Sequence, residues 1–177
     1  QNIPTLIPVY IGVVFWNYFE QALNNSSNSL VNNQAVITKV FFPRFIPSAA
    51  TTLAALIDFC VASIILLALG PILHYNIRYQ YLPILLAGVL LVLLFVNGLG
   101  ILLATLNIRF RDIRIALPFV MRILLFATPV FYPLSFIPQR YHSILFFNPL
   151  TSAIEVSRAL LLHTGTMPSA IHLAESA

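Results

Sequence analysis

The sequence predicts an all-α integral membrane protein. Composition is the first reason: 59% of the residues are hydrophobic and only 8% are charged, against about 25% charged in an average soluble domain. The second is the apolar runs of 18–25 residues with at most one charge, which suit helical spans rather than barrel strands. The third is the junction at residues 105–133, TLNIRFRDIRIALPFVMRILLFATPVFYP, which sets a basic loop (Arg109, Arg111, Asp112, Arg114) against a long apolar run that ends at Pro129 and Pro133. A membrane protein places such a cluster in the cytoplasm and the apolar run in lipid. With so few charges, the net +4 is a topology signal and not a nucleic-acid signal. Cys60 stands alone inside an apolar run and reports nothing about redox compartment.

Residues 5–24, TLIPVYIGVVFWNYFEQALN, form the first expected span, with Pro4 and Pro8 near its start, where proline harms a helix least. Its aromatic cluster of Phe15, Trp16, Tyr18 and Phe19, followed by Glu20, reads as an interfacial belt packed on neighbours. The other reading has Trp16 or Tyr18 facing a conduit and stacking on passing sugar rings. Residues 25–47 turn polar and then amphipathic. Asn32 or Asn33 is expected to cap a short helix. Val36, Ile37, Val40 and Phe41 give that helix an apolar face, Lys39 and Arg44 flank it, and Pro43 stops it. Such a helix suits the membrane surface or a docking partner; a plain surface linker is the alternative.

The second expected span, 46–70, carries Asp58 near its middle. An acid there costs about 2.5–3.5 kcal/mol on insertion scales, so it faces protein or water, in a structural or a substrate role. After an external loop, the third span, 83–105, has no charge, and its Asn97-Gly98-Leu99-Gly100 lets a neighbouring helix approach closely. Across the basic junction, Asp112 pairs with Arg109 if that segment is helical. The fourth expected span, 115–132, holds Arg122 about two turns from its basic end, placed either to snorkel to the interface or to line an aqueous path. Counting loops in alternation, Lys39, Arg44, Arg109, Arg111 and Arg114 fall inside and Arg78, Arg140 and Arg158 outside, which favours the arginine junction as cytoplasmic.

Beyond Pro133 the segments 135–147 and 149–163 are too short to cross and read as external re-entrant helices. Asn148-Pro149 starts the second one as cap and first helical residue. Thr151, Glu155 and Arg158 line one polar face, with Leu150, Ile154 and Leu161 on another. Backbone at that depth must be surrounded by protein or water, so the pair is expected to cap a cavity.

Three stretches together are similar to one family: FFPRFIPSAATTLAALIDF at 41–59, LNIRFRDIRIALPFVMRILLFATPVFYP at 106–133, and NPLTSAIEVSRALLL at 148–162. In this order and spacing the chain resembles, over nearly its whole length, the permease subunit of type-2 ABC exporters for polysaccharides: O-antigen, capsular polysaccharide or teichoic acid. The resemblance implies a fragment of a six-span permease of the bacterial cytoplasmic (inner) membrane. It would work as a homodimer with two copies of a separate ABC ATPase subunit on a lipid-linked glycan. Four transmembrane helices, a cytoplasmic coupling helix and the two re-entrant helices would be present, and the family's entry helix, first span and last span would lie outside this sequence. Val36, Lys39, Phe41, Phe42 and Arg44 would then sit near the ATPase, and 135–163 on the external side of the path.

No G-x-x-x-x-G-K-[ST] occurs, and the sole lysine, Lys39, follows Thr38 without the required glycines. The chain is therefore expected to bind no cofactor and no metal, with ATP at the partner subunit, and to carry no catalytic residue of its own. Trp16, Tyr18, Asp58 and Arg122 are candidates for the substrate path. Arg109, Arg111 and Arg114 are candidates for attracting a diphosphate headgroup. Competing functions are a permease for small lipophilic molecules, a structural membrane subunit, and a membrane-embedded transferase. The last needs a nucleophile–base or metal constellation, and His74, His142, His163 and His172 show no H-x-x-H spacing.

Overall fold

The computed structural model describes residues 6–34, 43, 45–72, 82–110, 112–131 and 149–162. Within them the chain forms α1 (Leu6–Asn32), α2 (Phe45–Ile72), α3 (Leu82–Arg109), α4 (Ile113–Ala127) and α5 (Pro149–Leu162). The expected coupling residues Val36, Lys39, Phe41, Phe42 and Arg44, the loop residue Arg111 and the first re-entrant segment 135–147 lie outside the described residues.

α1 is the centre of the bundle, with α4 and α5 completing the packing. The pairs Ser26–Ser48 and Tyr18–Phe59 set α2 antiparallel to it, and Phe19–Phe95 and Ser27–Asn107 set α3 parallel. Its buried side chains include Ile11, Phe15, Trp16, Tyr18, Phe19 and Leu23. Edge-to-face contacts set Phe15 and Tyr18 on Phe59 of α2, with ring centroids 5.1 and 5.5 Å apart, and Phe19 stacks on Phe95 of α3 at 6.5 Å. These separations lie in the range where aromatic pairs attract beyond simple area burial.

The surface is the inverse of a soluble one. Leu53, Ile57, Val61 and Ile64 of α2, and Leu86, Leu90 and Leu94 of α3, point outward. α4 exposes Ile115 at 71% and Phe126 at 74%. Apolar area this extensive on a helical bundle calls for lipid or another protein. Among the described residues two helices, Phe45–Pro71 and Leu86–Arg109, are long and apolar enough to cross a membrane. α1, at 27 residues, has the length but is more polar, with Ser26, Ser27 and Ser29 buried in the bundle and Asn17 and Gln21 exposed.

Several boundaries differ from the sequence expectation. α1 does not stop at residue 24 but continues as helix through SSNSLVN. Ser27 Oγ and Asn28 Nδ2 donate to the Asn24 carbonyl (3.0 and 2.8 Å), and Ser29 Oγ donates to Ser26 O (2.6 Å). Back-bonding of this kind satisfies short polar side chains within a helix. Asn32 is thus the last residue of α1, and Asn33, the turn residue that follows it, bonds back to Ser29 O through its side chain (2.8 Å), while the short helix expected beyond it lies almost wholly outside the described residues. α4 ends at Ala127, five residues short of the expected 132, because Thr128 turns extended (φ −89°, ψ 135°), the conformation imposed on a residue before proline. At 15 residues it is about 22 Å long, less than the ~30 Å of a hydrocarbon core. Between α3 and α4 the helix breaks at Phe110, so the helical i, i+3 geometry for an Arg109–Asp112 pair is absent. Arg109 instead lies over the Phe110 ring, 5.7 Å from its centroid. Asp112 holds the cap position of α4 without a side-chain hydrogen bond, and its carbonyl accepts from the N–H groups of Ile115 and Ala116.

The polar end of α1 is sewn to its neighbours. Ser26 hydrogen-bonds Ser48 of α2, and Asn107 of α3 donates to Ser27 O (3.0 Å) and Asn28 Oδ1 (3.3 Å). Thr52 donates to Asn97 Oδ1 (2.7 Å), tying α2 to α3. Gly100 permits this approach, since a β-carbon there would fall on the Ser26 side chain, whereas Gly98 faces open space. Small residues with hydroxyl and amide groups across the seam are the usual adhesive between membrane helices.

Candidate substrate groove

One face of α1 presents Tyr10, Asn17 and Gln21, with Glu20 beside them, a spacing that the 3.6-residue repeat turns into a stripe. Opposite, α2 presents Ala55, Asp58 and Ala62 on its own i, i+3, i+7 line. The small alanine side chains leave space between the helices there, and a half-open groove of about 420 Å³ results, floored by Val14, Tyr18 and Phe59.

Both acids are held. Trp16 Nε1 donates to Glu20 Oε2 at 2.8 Å, and Gln21 Nε2 donates to Asp58 Oδ2 at 2.9 Å. The second oxygen of each carboxylate has no hydrogen-bond partner among the described residues. Tyr18, 2% exposed, lines the groove, and its hydroxyl also has no hydrogen-bond partner among the described residues. An unpaired buried hydroxyl costs about 1–3 kcal/mol, which a ligand or water hydroxyl in the groove would recover. Among the described residues no lysine or arginine lines the groove.

Across Phe59 lies a second cavity of about 410 Å³, bounded by Ile11, Phe15, Leu56, Cys60, Leu66 and Leu93 among others. Its walls are almost wholly apolar. The α1–α2 pair therefore carries a polar and a greasy hollow on its two sides, with Phe59 and Val14 shared between them.

The sequence-predicted residues fall into three places. Tyr18 and Asp58 meet in the groove, and Trp16, 3% exposed, stands behind it as the hydrogen-bond donor that orients Glu20. Arg109 and Arg114 are exposed at the α3–α4 junction, and Arg122 is exposed on the outer face of α4 among Phe119, Ile123 and Phe126. Thr151, Glu155 and Arg158 are buried, so their polar face is turned into the protein. Arg158 donates to Pro8 O (2.9 Å), Pro129 O (2.8 Å) and Val130 O (2.5 Å), and pairs with Glu155 Oε1 at 3.0 Å. It thereby satisfies carbonyls left over where α4 breaks and ties that break to the Pro8 carbonyl in the first turns of α1. Counted as an outer-loop cation in the sequence, Arg158 is in fact an internally neutralised clamp.

Sequence reasoning missed Asn17, Glu20 and Gln21 as groove residues and Gly12 as the residue that admits Arg158. The signal for the first three was present, as amides and an acid at helical spacing within an otherwise apolar run.

Comparison with known proteins supplies the family context. A family model described as ABC-2 type transporter matches residues 3–162. Two proteins of Klebsiella pneumoniae named O-antigen export system permease protein RfbA are 28% and 29% identical to this chain, over 86% and 88% of it and 59% and 60% of their own lengths. A Myxococcus xanthus protein of the same name is 27% identical over 90% of this chain and 62% of its own length. The chain thus spans about three fifths of the length of these curated relatives.

Proposed function

Because this chain belongs to the ABC-2 type transporter family, we propose that it is a permease subunit of an exporter moving a lipid-linked polysaccharide across the bacterial cytoplasmic membrane. The observation that carries this reading is its similarity, over most of its own length, to three O-antigen export permeases. The lipid-facing exterior and the polar groove on its central helix pair agree with it. A separate ATPase subunit, in two copies, supplies the hydrolysis that this sequence has no phosphate-binding loop to perform, and a second copy of the permease completes the path.

In this reading α1, α2 and α3 cross the bilayer, and α4 with the turn at 128–131 belongs to the fourth membrane segment. Residues 33–42 lie at the cytoplasmic face near the ATPase, with Val36, Lys39, Phe41, Phe42 and Arg44 as the coupling residues. Arg109, Arg111 and Arg114 stand at the cytoplasmic mouth, where clustered cations attract a diphosphate headgroup. α5 stands on the external side.

The test is co-expression of the complete permease with its ATPase in a strain lacking its own exporter, with surface glycan measured at fixed protein level. Surface glycan that depends on both subunits is the expected result. Replacing Arg109 and Arg111 with glutamine is expected to lower it; undiminished export would remove those residues from the mechanism. The apolar hollow beside Cys60 favours a second reading, a permease for small lipophilic molecules. Export of a hydrophobic dye without any glycan dependence would support that reading over the first.

A further inference from the structure

We infer that the groove between α1 and α2 binds the uncharged sugar residues of the transported glycan through their hydroxyl groups, with Glu20 and Asp58 as the principal acceptors, and that it does not bind the phosphate end. The inference rests on the exporter reading and assigns one stretch of that substrate to one site.

Three observations carry it. First, the groove is an aqueous-sized hollow on helices that otherwise expose hydrocarbon, so its polar lining is costly there unless something polar uses it. Second, each carboxylate is fixed by a neutral donor, Trp16 or Gln21, that leaves its other oxygen open. A carboxylate held in this way accepts hydroxyl donors through charge-assisted bonds. Third, the hydroxyl of Tyr18, buried and unpartnered among the described residues, lines the same space.

The lining decides between ligands. A phosphate would meet two acids and, among the described residues, no base, and like charges repel. A metal cation would want several oxygen or nitrogen ligands converging on one point, and among the described residues no group of three acidic, histidine or cysteine side chains gathers. Sugar hydroxyls both donate and accept. Asn17 and Gln21 amides and the tyrosine hydroxyl offer both, and the carboxylates accept.

Trp16 is the sole tryptophan of the chain and is bonded to Glu20, so its emission reports on the groove. The chain reconstituted in lipid nanodiscs would be titrated with a neutral mannose oligosaccharide, with inorganic pyrophosphate, and with calcium. A saturable emission change with the oligosaccharide is expected. It should weaken about tenfold in an E20Q/D58N double variant that keeps its helix content, since two charge-assisted bonds become neutral ones. A response to pyrophosphate or calcium stronger than to the oligosaccharide, no response to sugar, or an unchanged response in the double variant overturns the inference. The export assay separates the two levels. Wild-type export with a flat sugar titration sinks the groove assignment alone, and sugar binding without any export sinks the exporter reading.

Discussion

The guanidinium of Arg158 occupies the space that a side chain at position 12 would need: a β-carbon built on Gly12 would lie 2.5 Å from Nη2 and 2.6 Å from the Val130 carbonyl oxygen. Glycine at this point of α1 lets a buried cation reach three backbone carbonyls at once. Gly12→Ala should therefore push the arginine out of register. Over-packing of this kind costs about 1–3 kcal/mol, to be read as a lower thermal midpoint of the detergent-solubilised chain. An unchanged midpoint would show that the clamp yields without penalty.

The Glu155–Arg158 pair gives an asymmetric mutational signature. Arg158→Ala leaves Glu155 buried at 1% exposure without its partner cation, and breaking a buried pair costs about 3–5 kcal/mol. Replacing both residues with methionine removes the stranded charge and should recover part of that loss, although the carbonyls of Pro8, Pro129 and Val130 lose their donor. Thermal unfolding of the single and double variants gives the comparison, and a double variant less stable than R158A would contradict it.

At the other end of α1, Asn107→Ala removes the amide that reaches Ser27 O and Asn28 Oδ1. Hydrogen bonds between membrane helices contribute about 0.6 kcal/mol on average and up to ~1.7, so the change should be small. Gly100→Val should be far worse, because it drives a branched side chain into Ser26. The ratio of the two losses, measured by unfolding, checks whether close backbone approach or hydrogen bonding dominates this seam.

Membrane orientation is open to a direct test. In a Cys60→Ser background, Arg114→Cys should resist an impermeant thiol reagent in sealed cells and label once the membrane is opened. A cysteine at position 142 should behave in the opposite way. Reversed labelling would turn the arginine junction outward and remove the basis for an ATPase-facing side.

The apolar helices were legible because lipid imposes a simple rule on composition: α2 and α3 lie within a few residues of their expected spans. Pro149 starts α5 as expected, since proline suits a first helical position. The polar tail of α1 was not legible. Ser26 and Ser27 read as loop until their partners Ser48 and Asn107, 22 and 80 positions away, are known. The same holds for the groove. Asp58 and Tyr18 stand out in the sequence, but the Gln21 amide that fixes Asp58 is 37 residues distant and only helix register brings it there. The clamp made by Arg158 was not legible because its acceptors are backbone carbonyls, which no side-chain pattern records.

The reach from Pro8 to Arg158, 150 residues apart, has a consequence for biogenesis. A chain emerging from the ribosome N-terminus first lays down α1 and then α4 with its broken end long before α5 exists. The carbonyls of Pro129 and Val130 must wait, and the bundle is latched only when the fifth helix arrives. Ribosome-stalled chains ending before residue 158 should remain protease-sensitive at the α4 terminus, whereas those extending past α5 should become protected together.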